Sequence, residues 1–146
     1  MPLTKEQKAQ SVEEIATLLE STGDNRFKAR AFRPAARALE KTDRDPTALL
    51  ASGELREVQG IGPATARVIE ELIVTGESRY HLDLRERAPS GMRELLSVSG
   101  LGPKKIAQLH SVLGVSDLDA LEAAARSGRI ATMRGFGERT QQRILD

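Results

Sequence analysis

The chain has 146 residues, of which 39% are hydrophobic and 29% charged, as is usual for a soluble globular protein. It contains no cysteine and only two histidines, His81 and His110, so disulfides are excluded and a zinc site is not expected. No apolar run is long enough to span a membrane, and the N-terminus lacks the apolar stretch of a secretory signal. We therefore expect a cytoplasmic protein.

The formal net charge is only +1, but the charge is unevenly distributed. The segment 26–37 contains five basic residues and no acidic residue: Arg26, Lys28, Arg30, Arg33 and Arg37. The segment before them carries Glu13, Glu14 and Glu20. A near-neutral total can thus conceal a basic face, and the binding of a polyanion depends on that local face.

The N-terminal third of the chain reads as helices joined by turns. Apolar residues from Val12 to Leu19 recur at helical spacing, with a helix start either at Ser11 or earlier at Thr4. A second helix is predicted over 25–40, either continuous or broken near Arg33 by Pro34. Its predicted inner face consists of Phe27, Ala31, Ala35, Ala38 and Leu39. A short helix over 47–52 follows, and no alternating strand pattern occurs, which predicts an all-α fold.

An internal repeat occupies the rest of the chain. Three segments align on a Gly-apolar-Gly turn: Gly60-Ile61-Gly62, Gly100-Leu101-Gly102 and Gly135-Phe136-Gly137. Apolar residues stand five positions before the first glycine and seven positions after the second: Leu55 and Ile69, Leu95 and Leu109, Ile130 and Ile144. Because seven residues make two helical turns, we expect these residues to face inward together with the apolar residue of the turn.

Each copy is predicted to be a short helix, a tight turn and a second helix. The turn is expected to need glycine, because positive φ is sterically cheap only for that residue. Pro63 and Pro103 suit the first position of a helix, where no amide is needed. Amides of the turn and of the second helix's start would then point outward and bind an anion such as a phosphate. The alternative is that the turn only closes a helical hairpin, but three copies in one register favour DNA binding.

Basic side chains accompany these turns. Lys104 and Lys105 directly follow the second turn and would flank a bound phosphate, unless they merely begin a solvated helix. Arg134 and Arg139 bracket the third turn in a similar way. Contacts of this kind fix the position of DNA without reading its bases.

The three turns resemble helix-hairpin-helix motifs, and the stretch GDNRFKARAFRPAARALE resembles the N-terminal domain of family X DNA polymerases, especially the bacterial and archaeal branch. The order of the arginine-rich helix and the hairpins also matches, over nearly the whole chain. The resemblance implies a lyase-like helical domain over 1–80 with the first motif, and a second domain over 81–146 with two further motifs. It further implies a monomer that binds gapped, nicked or 5′-phosphorylated DNA in repair, associated with the nucleoid if the source is bacterial or archaeal.

The family's nucleotidyl-transfer domain, whose paired carboxylates hold two metal ions, has no counterpart in these 146 residues. We therefore expect no polymerase activity from this chain by itself, whether it is a stand-alone protein or the front of a longer one.

The family's second activity, the 5′-deoxyribose-phosphate lyase, needs a lysine that forms a Schiff base. The position of that lysine is Val68 here, and the supporting lysines are replaced by Ala64 and Tyr80. Only Lys28, which matches a phosphate-contacting lysine, is kept, and Arg67 is at best a phosphate contact because arginine stays protonated. The resemblance thus implies binding without lyase chemistry. A lyase that uses another amine, such as Lys28, is the alternative, and borohydride trapping on an incised abasic substrate distinguishes the two.

Two further possibilities concern ions and partners. Hairpins of this family commonly hold a sodium or potassium ion through backbone carbonyls, and no other cofactor is expected. The matching carbonyls belong to Arg56, Val58, Ile61, Leu96, Val98 and Leu101. Paired hairpins also serve as protein-docking modules, an alternative that the salt dependence of DNA affinity can test.

Overall fold

The computed structural model describes residues 3–22, 26–98 and 101–145, without the side chains of residues 21, 22, 26 and 27. Every regular element in those ranges is helical and none is a strand, which confirms the predicted all-α fold. Within the same ranges, no helix combines the length and the apolar character needed to cross a bilayer. The chain forms two compact units, residues 1–88 and 89–146.

Unit 1 contains five α-helices in its described residues. These are α1 (Lys5–Thr22), α2 (Arg26–Lys41), α3 (Pro46–Ser52), α4 (Pro63–Thr75) and α5 (Arg79–Arg87), with a single 3₁₀ turn at Leu55–Glu57 between α3 and α4. Helix α5 was not predicted from the sequence. Because α5 packs against α1, residues 81–88 lie in the first unit, although the sequence analysis assigned them to the second domain.

Helix α1 begins at the earlier of the two predicted starts. The hydroxyl of Thr4 accepts a hydrogen bond from the amide of Gln7 at 3.0 Å. The amide of Thr4 in turn donates a hydrogen bond to the side-chain oxygen of Gln7 at 2.9 Å. This reciprocal arrangement satisfies amides that the first helical turn would otherwise leave without acceptors. Ser11 consequently lies inside the helix rather than at its start.

Helix α2 runs without interruption through Pro34, and its inner face differs from the predicted one. The buried residues are Ala29, Phe32, Ala35, Ala36 and Leu39. Ala31 is exposed, so the prediction was wrong for this residue, and Ala38 is half-buried, so the prediction is met only partly there. The side chain of Phe27 lies outside the described residues. The inner face differs because the ring of Phe32 stacks on that of Tyr80 in α5, with the ring centroids 5.9 Å apart. This contact places the Phe32 side of α2 in the core.

Helix α1 also buries two neighbouring carboxylates, each paired with a different helix. Glu13 pairs with Arg33 of α2, while Glu14 pairs with Arg85 and with His81 of α5, whose Nε2 lies 2.9 Å from Glu14 Oε1. Burial raises the pKa of Glu14, but the hydrogen bonds and charges of His81 and Arg85 outweigh burial, so the pKa lies below its usual value. The ion pairs thus attach α2 and α5 to α1.

Unit 2 contains four helices in its described residues: α6 (Ser90–Leu96), α7 (Pro103–Leu113), α8 (Leu118–Arg126) and α9 (Glu138–Leu145). Helix α6 lies directly on the turn between α7 and α8. A Cβ atom at Gly91 would stand 2.6 Å from the carbonyl oxygen of Ser116 and 2.9 Å from Cβ of Asp117. Any larger residue at position 91 would therefore push the two segments apart.

Candidate nucleic-acid interface

The three Gly-apolar-Gly turns share one pattern of backbone hydrogen bonds. The amide of the middle apolar residue donates to the carbonyl three residues earlier, as seen in Ile61 to Val58 (3.0 Å), Leu101 to Val98 (3.2 Å) and Phe136 to Met133 (3.1 Å). The carbonyl of the second glycine then accepts the first bond of the following helix, from Ala66 (2.8 Å), Ile106 (3.0 Å) and Gln141 (3.0 Å). The repeat in the sequence is therefore also a repeat in backbone geometry.

The two glycines of a turn have different conformations. The first glycine is left-handed, with φ of 100° at Gly60 and 87° at Gly135. The second is extended, with φ of −100° at Gly62 and −79° at Gly102, a conformation that any residue adopts. Positive φ, which we gave as the reason for glycine in the turn, therefore applies to the first glycine and not to the second, and Gly100 lies outside the described residues.

The space around the glycines differs in the same way. A Cβ atom at Gly60 would lie 3.1 Å from the carbonyl oxygen of Pro34, so the first turn packs closely on the middle of α2. At Gly62 and Gly137 a Cβ atom would meet nothing within 4 Å. The fold accounts for Gly60 but not for Gly62 or Gly137. A missing side chain at these two positions keeps space open for a molecule that approaches from outside.

The first hairpin presents fewer outward amides than the sequence analysis expected. The amide of Gly62 donates to the hydroxyl of Thr65 at 2.9 Å and is thereby satisfied within the protein. Pro63 has no amide, so the N–H groups of Ala64 and Thr65 remain as the early amides of α4 that lack an acceptor within an α-helix. An anion at this helix start would meet these two groups and the positive end of the helix dipole.

The basic residues of α2 divide into two groups. Arg33 is engaged inside the protein, because its Nη2 lies 2.8 Å from Glu20 Oε2 in addition to its pairing with Glu13. Lys28 and Arg37 are exposed. Lys28 lies six residues before Pro34, about 9 Å along the helix from the contact with the first turn.

Arg37 is the sequence neighbour of a residue that lies against the first turn. It adjoins Ala38, and a Cβ atom added at Gly60 would lie 3.4 Å from the Cβ of Ala38. Arg67 is exposed on α4, four residues after Pro63 in the same hairpin. The first turn is thus accompanied by basic side chains on two helices, and Arg37 joins the candidate site because α2 packs on the turn.

Basic residues also follow the second turn. Helix α7 begins at Pro103, Lys104 is exposed and Lys105 is half-buried. The Nζ atom of Lys105 lies 5.6 Å from the centroid of the Phe136 ring, within range of a cation–π interaction. Lys105 therefore links the start of α7 to the turn of the third hairpin.

The third hairpin is packed more loosely than the other two. Ile61 and Leu101 are each only 4% exposed, whereas Phe136 at the equivalent position is half-buried. Ile69 and Leu109 are fully buried, whereas Ile144 is half-buried. The expectation that this residue faces inward is therefore met only partly in the third copy. Its two flanking arginines, Arg134 and Arg139, are exposed.

The positions that correspond to lyase lysines hold no amine. Val68 is 8% exposed and belongs to the core of unit 1, while Ala64 is exposed. Tyr80 stacks on Phe32, and burial raises the pKa of its hydroxyl despite an opposing effect of Arg87. A lysine introduced at position 68 would have to bury its charge or displace the packing of α4.

Two of the backbone carbonyls that the sequence analysis named for a monovalent cation take part in the hydrogen bonds of the turns. Those of Val58 and Val98 each accept one amide of the turn, which leaves one lone pair for a further interaction. In the described ranges, no group of three or more His, Asp or Glu side chains is placed so that it could hold a metal ion.

The chain matches two family models. Residues 4–78, more than half of the chain, match that of a helix-hairpin-helix domain. The chain belongs to the helix-hairpin-helix family. Residues 92–146 match a SAM-like helix-hairpin-helix tandem, which corresponds to the second and third hairpins.

Several curated proteins are similar to this helix-hairpin-helix chain. DNA polymerase/3′-5′ exonuclease PolX of Bacillus subtilis is 40% identical over 92% of this chain but only 23% of its own length, which confirms the predicted resemblance to family X polymerases. Holliday junction branch migration complex subunit RuvA of an Acidovorax species is 36% identical over 36% of this chain and 28% of its own length. UvrABC system protein C of Oleidesulfovibrio alaskensis is 39% identical over 42% of this chain and 8% of its own length. The chain thus spans less than a third of each of these relatives.

Proposed function

We propose that this chain binds DNA through the sugar-phosphate backbone, without preference for base sequence. The observation that carries the proposal is the repeated turn whose second glycine is not required by the fold. At Gly62 and Gly137 the protein leaves open space beside the start of a helix, where unpaired amides and the helix dipole favour an anion. Each unit thus has a helix start that could hold a phosphate, and contacts of this kind fix the position of DNA without reading its bases.

The distribution of basic residues supports the same proposal. Exposed Lys28, Arg37 and Arg67 accompany the first hairpin, and Lys104 and Lys105 follow the second turn. Phosphate contacts from such residues give affinity that does not depend on sequence. The names of two relatives, a DNA polymerase and a Holliday junction subunit, are consistent with DNA as the ligand.

The finer proposal is that the target is gapped, nicked or 5′-phosphorylated DNA in repair. Lys28 supports it, because this exposed lysine on the basic helix matches a phosphate-contacting lysine of the family. We further propose a monomer in the cytoplasm, associated with the nucleoid if the source is bacterial or archaeal. We also propose that the first hairpin and the second hairpin can each hold a sodium or potassium ion through their own carbonyls, which would add positive charge beside a phosphate.

DNA affinity is expected to fall steeply with salt. If between about two and four phosphates are contacted, the logarithm of the binding constant should fall by about 2 to 4 per decade of salt concentration. Fluorescence anisotropy with labelled duplexes of equal length and unrelated sequence measures both the slope and the sequence dependence. Affinities that differ strongly between sequences at fixed salt would contradict backbone binding, and affinity too weak to measure at low salt would favour the docking-module alternative.

The same titration on gapped duplexes tests the finer proposal. A 5′-phosphate in the gap should raise the affinity, and Lys28→Ala should remove that gain. Lys41→Ala is the matched control, because Lys41 is an exposed lysine at the other end of α2. A gain that survives in Lys28→Ala would assign the 5′-phosphate to another part of the surface.

A further inference from the structure

The third hairpin differs from the other two at the residue after its second glycine. Proline begins α4 at Pro63 and α7 at Pro103, whereas an exposed glutamate, Glu138, begins α9. The backbones correspond at this point, since the carbonyl of Gly137 accepts the amide of Gln141 at 3.0 Å just as the second glycines of the other turns accept their partners. The carboxylate of Glu138 therefore belongs to the helix start where an anion would bind.

A carboxylate at this position acts in two ways. It interacts favourably with the positive end of α9 and so occupies the electrostatic role that a phosphate would have. It also repels a phosphate that approaches the same amides, and it offsets part of the positive charge of Arg134 and Arg139. Proline at the equivalent position of the other hairpins has neither effect.

The third turn nevertheless lies close to the basic start of α7, the second helix of the second hairpin. Lys105 reaches the ring of Phe136, two residues before Glu138, with 5.6 Å between Nζ and the ring centroid. A DNA strand held by Lys104 and Lys105 would therefore pass near Glu138, and the charge of this residue would act on it. The loose packing of Phe136 and the absence of buried residues in α9 also distinguish the third hairpin.

From these observations we infer that Glu138 opposes phosphate binding at the third hairpin, so that the second hairpin and its two lysines carry most of the DNA affinity of unit 2. The inference rests on the proposed function, because it assigns unequal roles to hairpins that bind the same ligand. It implies that the third turn binds a phosphate more weakly than the other two turns while Glu138 is present. Neutralising Glu138 should make the third hairpin available to a further phosphate.

The first experiment compares Glu138→Gln with Asp119→Asn. Asp119 is the matched control, because it is an exposed acidic residue in the first turn of α8, in the same unit, and no Gly-apolar-Gly turn precedes that helix. Both substitutions change the net charge by one. Glu138→Gln should raise the affinity for duplex DNA about two- to fourfold at low salt, and Asp119→Asn should raise it much less.

The second experiment tests whether the gain arises at the third turn. Gly137→Val places a side chain where the fold leaves open space, so it should be tolerated structurally. This change should lower the affinity of the Glu138→Gln variant more than that of the unaltered protein, and it should abolish the gain that Glu138→Gln produces. Glu138→Pro provides a second neutral variant that keeps the helix start, because proline is favoured at that position. Circular dichroism confirms that each variant retains its helices.

The outcomes separate this inference from the proposed function. Equal gains from Glu138→Gln and Asp119→Asn, with DNA binding intact, would overturn this inference alone, because net charge would then explain both. A loss from Gly137→Val that is as large in the unaltered protein as in the Glu138→Gln variant would also overturn it, since the third turn would then bind DNA equally well with Glu138 present. If the unaltered protein bound no duplex DNA at low salt, the proposed function and this inference would both be wrong.

Discussion

Substituting valine for the two glycines of the first turn is expected to produce opposite phenotypes. Gly60→Val should destabilise unit 1 by about 3 kcal/mol, because valine is strained at positive φ and its Cβ would press on the carbonyl of Pro34. Gly62→Val should cost about 1 kcal/mol or less, because its φ is extended and its surroundings are open. It should nevertheless lower DNA affinity about tenfold, since the side chain fills the space that a phosphate would approach.

The chain provides its own probe for the stability half of this experiment. Tyr80 is the single tyrosine, no tryptophan is present, and the Tyr80 ring stacks on Phe32 inside unit 1. Its fluorescence therefore follows the unfolding of unit 1 without a signal from unit 2. A Gly60→Val midpoint lower by more than about 10 °C and a nearly unchanged Gly62→Val midpoint are expected. Full DNA affinity in folded Gly62→Val would show that the open space has no role in binding.

Two arginines of α2 should also differ in role, because one stabilises the fold and the other binds DNA. Arg33→Ala leaves the carboxylate of Glu13, which is 3% exposed, without its ion-pair partner, so unit 1 should lose about 3 kcal/mol of stability. Arg37→Ala removes an exposed side chain and should change stability by less than about 0.5 kcal/mol. It should instead weaken DNA binding and reduce the salt slope by about 1, as the loss of one phosphate contact requires.

A double variant tests the assignment of Arg33. Replacing Glu13 and Arg33 together, as in Glu13→Leu with Arg33→Met, removes both charges and should recover much of the stability lost in Arg33→Ala. Thermal unfolding followed by Tyr80 measures the stability, and anisotropy measures DNA binding. If Arg33→Ala were as stable as Arg37→Ala, the ion pair with Glu13 would not hold α2 on α1.

The sequence was sufficient for the elements that depend on local patterns. The three turns follow from glycine spacing and the apolar residues around them, and the all-α class follows from the absence of alternation. The start of α1 at Thr4 required a choice between two capping patterns, and the side-chain bond between Thr4 and Gln7 settles it. These features depend on residues only a few positions apart, so a short stretch of sequence contains all the residues that cause them.

The features that the sequence did not predict depend on contacts between distant residues. Phe32 turns α2 inward because it meets Tyr80, which lies 48 positions later, so the inner face could not be read from α2 alone. Arg33 looks like its exposed neighbours until Glu13 and Glu20 are placed beside it. Gly60 and Gly62 cannot be told apart in the sequence, and their different roles become visible from the left-handed φ of Gly60 and from its close contact with Pro34.

That difference between the paired glycines bears on how such hairpins change over evolutionary time. Folding itself requires the first glycine, because its φ is left-handed, whereas the fold places no such requirement on the second. A hairpin that ceases to touch DNA can therefore exchange its extended glycine for another residue, but not its left-handed one. Of the two glycines, only the second can record such a loss of binding in a lineage.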